Sequence, residues 1–344
     1  MKKILYINYI HQKGHYNFDK IHIDALDNEN AEILLILHSE EKKALPYSDD
    51  KYCLVLPKCF STSFKSGFFN RIIYICTLLY IFFKVNLKEY SDIVLASMEE
   101  ISIFLIPLKK NKFIICHNNA CGLTNKIKKP LLRLIGAHNT FIVFNKRMKD
   151  AFLSEKIINT KVISHGCLPA YKFNDNIDVL LNLKNYKTII FHPSSAIDFA
   201  NIEQLYKNDS FLEFLRKENI LLILKTPNLK TNIAPNIINI TKYLSKEEYQ
   251  NLFLKSDYIL LSYPQDFGYR VSGVSYECFS NKKRLLIHSN PAFDYCKDYF
   301  NYNPFYNSNE ELIALIKKLQ NNQSLQYVAE SKDLTPDYSK ILQL

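Results

Sequence analysis

The sequence predicts an α/β chain of two doubly wound domains, each built on a parallel sheet. Three observations carry this. The chain has 344 residues, about twice the length of an ordinary domain. Short runs rich in Ile, Leu, Val and Tyr alternate with helix-length segments, as in successive βαβ units. Most of those runs are continuously apolar, the pattern of parallel strands covered on both faces.

Strands are expected in the first half at Lys3–Ile10, Ala31–Leu37, Cys53–Leu56, Ile93–Ala96, Lys112–Cys116, Thr140–Phe144 and Lys161–Ile163. Helices are expected near His15–Asn28, Phe68–Lys88, Lys126–Ile135 and Lys146–Ser154. The Asn- and Asp-rich stretch Leu168–Lys184 has a weak apolar pattern and reads as a linker. The alternation then restarts with strands at Thr188–Phe191, Leu221–Leu224, Ile237–Ile240, Tyr258–Ser262 and Arg284–Ile287. Helices follow at Ile202–Lys217, Ser245–Leu254, Ser272–Ser280 and Ser308–Leu319. Ser245 with Glu248, and Ser308 with Glu311, have the spacing of capping boxes. The division is a first domain over 1–167, a linker over 168–186, a second domain over 187–330 and a polar tail over 331–344 that can return to the first domain as a helix. Ligands sit outside the carboxyl ends of parallel strands, so two such domains facing each other place a site in the cleft between them.

Composition narrows the function. With 47% hydrophobic and 23% charged residues the chain buries a substantial core, which excludes global disorder. None of the seven glycines falls in a G-x-G-x-x-G or a G-x-x-x-x-G-K-[ST], so the usual dehydrogenase and P-loop readings fail. The formal charge of +10 favours an anionic partner. That charge is spread and no recognition motif accompanies it, so nucleic acid is not expected. The eight cysteines form no C-x-x-C, and several, such as Cys76 and Cys116, lie in apolar runs. They read as buried reduced thiols of a cytoplasmic protein. Paired zinc ligands are absent from the sequence, so no metal and no cofactor is expected. The opening MKKILYINYIHQKG alternates like a first strand and lacks a small-residue cleavage site, so it is expected to be structural.

The segment Phe60–Lys88 combines Phe64, Phe68, Phe69 and an apolar run to Phe83 with Lys65, Arg71, Lys84 and Lys88, and Lys58 stands just before it. Two readings stay open: an interfacial helix on an anionic membrane surface, or a crossover helix buried on the sheet. The basic cluster Lys126, Lys128, Lys129 and Arg133 can widen the same face.

Ser256–Ile287 is the most informative stretch. A strand ends at Ser262, and a loop follows with Pro264, Gly268 and Arg270. Ser272-Gly273 then opens a helix carrying Glu277. A helix start presents unpaired N–H groups and partial positive charge. Gly273 lets a phosphate approach the backbone, the Ser272 hydroxyl can donate and Arg270 can neutralise. Glu277, one turn in, can accept both hydroxyls of a ribose. The alternative is an ordinary loop–helix join with an incidental glutamate.

Here the chain resembles the nucleotide-sugar glycosyltransferases with two Rossmann-like domains (the GT-B type), close to glycosyltransferase family 4. In that family a strand ending "ADIFLLPS" leads into E-x7-E, then "EAMACGKPVI". SDYILLSYPQ, then Tyr269 to Glu277, then ECFSNKKRLLI stand here in the same order and spacing. The resemblance implies that Glu277 binds the donor ribose and that the backbone at Ser272, Gly273 and Val274 binds the diphosphate. Tyr269 stands where the family has its first glutamate, which contacts the sugar, so sugar identity and anomeric outcome stay open. Asn281-Lys282 replaces the usual C-G.

Other positions fit the same resemblance. His117, at the end of Lys112–Cys116, falls where the family often has a histidine facing the sugar; otherwise it caps the strand end. The loop His11–His15 occupies the place of the family's glycine-bearing loop, with Gly14 and His15 as candidates for touching acceptor and donor; as a plain βα turn it needs no such role. Val162–Gly166 resembles the "V-x-P-N-G" that ends the first domain, with Gly166 conformational and His165 structural. The basic pair that usually grips the diphosphate is missing near His192, and Lys225 is the candidate substitute.

The implied activity is transfer from a nucleotide-diphosphate sugar, used as co-substrate, to a glycan or lipid-linked acceptor. The resemblance implies a retaining, metal-independent reaction; no D-x-D triplet stands at a strand end. The heavy use of Lys, Asn and Ile suggests an AT-rich bacterial genome and hence surface-polysaccharide synthesis, at the inner face of the membrane or in the cytoplasm. A nucleotide-sugar epimerase of the same fold and a degenerate, non-catalytic binder are the alternatives.

Overall fold

The computed structural model describes residues 2–10, 15–27, 31–108, 112–167, 169–174, 183–193, 197–226, 229–329 and 334–342. The chain divides into two compact units. The first holds Met1–Gly166, Tyr269–Val271 and Asp333–Leu344; the second holds Cys167–Gly268 and Ser272–Lys332.

In the first unit seven strands form one sheet: β1 Lys3–Ile7, β2 Glu32–His38, β3 Tyr52–Leu56, β4 Asp92–Leu95, β5 Lys112–Ile115, β6 Thr140–Val143 and β7 Thr160–Val162. Their order is β3-β2-β1-β4-β5-β6-β7, and every pairing is parallel. The helices are α1 Tyr16–Asp27, α2 Ser39–Ala44, α3 Gly67–Lys84, α4 Glu100–Leu105, α5 Lys128–Gly136 and α6 Lys146–Ser154. The order reverses between β1 and β4, so the crevice at the carboxyl ends of those two strands is the natural ligand position. β1 and β4 are buried almost throughout, as strands covered on both faces must be.

The second unit repeats the plan with β8 Thr188–His192, β9 Ile220–Lys225, β10 Asn232–Ala234, β11 Ile237–Ile240, β12 Tyr258–Leu261, β13 Arg284–His288 and β14 Phe305–Tyr306. Its helices are α7 Phe199–Lys207, α8 Asp209–Lys217, α9 Lys246–Lys255, α10 Gly273–Ser280 and α11 Asn309–Asn321. The order is β10-β11-β9-β8-β12-β13-β14, and of these strands only the edge strand β10 is antiparallel. Here the reversal falls between β8 and β12. A short helix in the tail, α12 Ser339–Leu342, groups with the first unit.

Every strand expected from the sequence is present, with no end moved by more than three residues. The short strands β10 and β14 carry too few apolar residues to stand out. The expected helix over 202–217 is two helices, because Asn208 ends α7 and accepts a hydrogen bond from Phe211 N to cap α8. The Ser245 capping box is complete. At α11, Ser308 accepts from Glu311 N, but the Glu311 carboxylate accepts from Asn307 N (2.7 Å) instead of closing the box. The described part of the expected linker is docked: Tyr171 N donates to Asn281 Oδ1 and Asn174 N donates to Asn251 Oδ1.

Helix α3 is not a buried crossover. Only Thr77, Leu78 and Ile81 are buried, while Phe68, Phe69, Ile72, Leu79, Phe82 and Phe83 are exposed, Phe83 to 78%. Cys76, expected to be buried in this run, is exposed with them; Cys116, Cys278 and Cys296 are buried.

Gly166 has φ +78°, and a Cβ there would stand 2.3 Å from Ile21 Cγ2. Both the left-handed backbone and the missing side chain are therefore required. Gly166→Ala is expected to lower unfolding stability by about 1–3 kcal/mol or more, measured by urea denaturation; an unchanged midpoint would remove this conformational role.

Candidate functional site

In the second unit the sequence-predicted motif lies at the strand-order reversal. β12 ends at Leu261, and the chain passes through Ser262, Tyr263 and a short turn over Gln265–Phe267. Gly268 follows with φ +68°, and eight residues of helix begin at Gly273. A Cβ on Gly273 would meet nothing within 4 Å, so the helix start opens onto free space. The amides of Gly273 and Val274 lie in the first turn, where helical geometry offers no acceptor.

Ser272 departs from its expected role. It is buried, its Oγ lies 2.9 Å from the Tyr263 hydroxyl, and its amide donates to the Tyr295 hydroxyl at 3.4 Å. Tyr295 also sits 2.7 Å from Ser275 Oγ. Ser272 therefore braces the turn from inside, and the outward donors are those of Gly273 and Val274. Tyr269 and Arg270 group with the first unit, where the Arg147 guanidinium lies 4.7 Å over the Tyr269 ring. Lys225 is half-buried at the carboxyl end of β9.

Glu277 faces inward from the second turn of α10. The Tyr249 hydroxyl donates to its Oε2 at 2.7 Å, and Tyr171 bonds it as well. Burial raises its pKa and the two tyrosines pull it back down. A glutamate on a solvated face would have neither partner. Tyr171 and Tyr249 were not legible as site residues, since one lies in the presumed linker and the other in an ordinary amphipathic helix. At the same sheet edge stand His192, buried, and His288, whose Nδ1 is 3.6 Å from Asp198 Oδ2.

In the first unit the carboxyl edge of the sheet carries a cluster of imidazoles. His117 lies 5.3 Å from His15, 5.1 Å from Phe18 and 5.4 Å from His165 between ring centroids. His22 belongs to the same group through Phe18, and its Nδ1 is 2.7 Å from the Tyr338 hydroxyl of the tail. His165 Nδ1 meets its neighbour's carbonyl, Gly166 O, at 2.9 Å, in keeping with a structural role. Gly14 lies outside the described residues. His117 does not cap its strand: both ring nitrogens are buried and have no hydrogen-bond partner among the described residues. Burial first, then the neighbouring His165, His15 and His22, hold its pKa well below the usual histidine value, so the ring is neutral.

His117 also lines a cavity of about 200 Å³ with Ile10, Tyr74, Ser97, Glu99 and Asn118. Ile10 and Ser97 follow β1 and β4, so the cavity sits at the strand-order reversal. Its charges are balanced: Arg71 Nε donates to Glu99 Oε1 at 2.9 Å, and Lys128 Nζ is 2.9 Å from Glu100 Oε2.

Behind this edge lies a carboxyl pair that the sequence did not advertise. Asn8 Nδ2 donates at 3.0 Å both to Asp19 Oδ2 and to Glu41 Oε1, and the Tyr6 hydroxyl donates to Asp19 Oδ1 at 2.7 Å. Burial pushes both carboxyls up, and the Asp19 charge raises Glu41 further. Raised folded-state values mean that the folded state holds protons the unfolded chain gives up near pH 4. Stability from this pair is therefore full below that pH and declines as pH rises through the folded values. Glu41→Gln is expected to flatten the fall in unfolding free energy between pH 5 and pH 8, by roughly 1.4 kcal/mol for each pKa unit removed, read from urea denaturation at each pH. Identical pH profiles would contradict the assignment.

No protein-family model matches the chain, and no curated protein matches it by sequence. Solved structures match it by shape. MnaA of S. aureus, solved with UDP, has a TM-score of 0.57 at 14% identity, covering 98% of this chain and 92% of its own. HepE of Anabaena, solved with UDP and glucose, has a TM-score of 0.58 at 14% identity, covering 97% and 92%. A UDP-forming α,α-trehalose-phosphate synthase of Burkholderia vietnamiensis has a TM-score of 0.60 at 10% identity, covering 97% and 93%. The fold is thus the GT-B type, two Rossmann-like α/β domains in one chain, as expected from the sequence.

Proposed function

We propose that the protein is a glycosyltransferase that moves a sugar from a nucleotide-diphosphate sugar to an acceptor hydroxyl, by a retaining and metal-independent route. The observation that carries this reading is the start of α10: an open helix N-terminus at the sheet's strand-order reversal, with a tyrosine-held carboxylate one turn in. Two relatives in fold were solved with UDP, one of them also with glucose, which supports UDP as the carrier.

Each group then has a task. The amides of Gly273 and Val274 hold the diphosphate oxygens, and the helix dipole favours the charge that builds on them as the sugar leaves. Arg270 and Lys225 supply further positive charge to the same anion. Glu277, acceptor-only when ionised, takes the ribose hydroxyls. His117, a neutral imidazole whose nitrogens have no partner among the described residues, hydrogen-bonds the sugar or the leaving oxygen. Tyr269 takes the position that contacts the sugar ring, and His15 borders the acceptor. The product belongs to bacterial surface-polysaccharide synthesis.

Glu277→Ala is expected to weaken UDP binding by roughly 1–3 kcal/mol, the cost of stranding a buried hydrogen-bond partner, read by titration calorimetry. Wild-type affinity would refute the ribose role. His117→Ala is expected to lower turnover at least about tenfold while leaving UDP affinity within about twofold; loss of neither would return His117 to the scaffold. Turnover should survive EDTA. Conversion of the nucleotide sugar without acceptor would instead identify an epimerase, and UDP binding without turnover of any donor would identify a binding protein.

A further inference from the structure

The exposed face of α3 has no partner among the described residues. Phe68, Phe69, Ile72, Leu79, Phe82 and Phe83 present one apolar surface on a helix of 18 residues, more than single scattered residues would account for. Its charge is one-sided. From Lys58 to Lys88 there are five basic residues, Lys58, Lys65, Arg71, Lys84 and Lys88, and no acidic residue. Arg71 is paired with Glu99; the other four have no ion pair among the described residues. The inner side of the same helix supplies Tyr74 to the cavity beside His117.

We propose that this face docks on an anionic lipid bilayer, lying in the headgroup layer, and that the cavity beside His117 thereby receives its acceptor from the membrane surface. Apolar side chains flanked by basic ones match an interface with apolar interior and negative surface. A second copy of the chain fits less well, because a two-fold contact through this face sets one basic patch against the other. An acceptor carried by a lipid reaches the cavity along the helix that borders both. This step rests on the glycosyltransferase reading only for the acceptor's role; the docking itself does not.

The chain contains no tryptophan, so Phe83→Trp reports from that position alone. Vesicles of equal parts phosphatidylglycerol and phosphatidylcholine should shift its emission to the blue, and acyl-chain bromine should quench it. Tyr74→Trp should be quenched more by a headgroup spin label than by acyl-chain bromine. Raising salt should weaken sedimentation with the vesicles. Replacing Phe68, Phe69, Phe82 and Phe83 together by Ser should lower partitioning roughly tenfold or more, and circular dichroism checks that the variant stays folded. No blue shift with these vesicles overturns the proposal. So does a blue shift already present without vesicles that grows with protein concentration alongside a dimer in sedimentation. Deep acyl-chain quenching of the Tyr74→Trp variant overturns the placement of the cavity. The melting shift with UDP, measured in the same samples without vesicles, tests the donor reading separately: if it persists while vesicle binding fails, only the docking falls.

Discussion

A parallel sheet can offer a ligand backbone donors in few places, and the reversal of strand order is one of them. At that point two neighbouring crossovers leave in opposite directions and no helix covers the carboxyl ends between them. In the second unit the reversal falls between β8 and β12, and the loop after β12 leads directly into α10. The remaining features serve that opening. Gly268 turns the chain through a left-handed conformation, Ser272 is pinned from within by Tyr263 and Tyr295, and Gly273 leaves the approach unobstructed.

The first unit uses the same topological vacancy with different chemistry. Its reversal, between β1 and β4, is lined by a neutral imidazole and by carboxylates already matched with Arg71 and Lys128. Among the described residues, little uncompensated charge remains there. Such a surface suits a neutral hydroxyl-rich molecule better than a phosphate, whereas open amides at a helix start, as in α10, suit an anion. The buried bridge of Asn8 between Asp19 and Glu41 ties the end of β1 to α1 and α2, and His38 N, donating to Glu41 Oε2, ties in the end of β2.

Much of the fold was legible because parallel strands declare themselves as short continuous apolar runs. The β10 and β14 strands were hidden because they sit at sheet edges with few apolar side chains. The split of α7 from α8 turned on one capping side chain, Asn208. The placement of Gly273 at the start of α10 and of Glu277 one turn in was legible from spacing relative to a buried strand. The inward turn of Ser272 was not, because its partners Tyr263 and Tyr295 come from other segments. Tyr171, Tyr249 and the Asp19–Glu41 pair share that cause: contacts between distant segments leave no periodic trace. The exposure of α3 was undecidable from hydrophobicity alone, since a helix apolar all round looks the same under a sheet as on a surface.

The grip of Tyr249 and Tyr171 on Glu277 has a consequence for the bonding capacity left on that carboxylate. An ionised carboxylate has about four acceptor positions, and two phenols occupy only part of that capacity. The rest stays open to a further donor, which need not displace an existing partner. The two phenols thus fix the orientation of the carboxylate and leave part of its acceptor capacity open, an arrangement set before any ligand arrives.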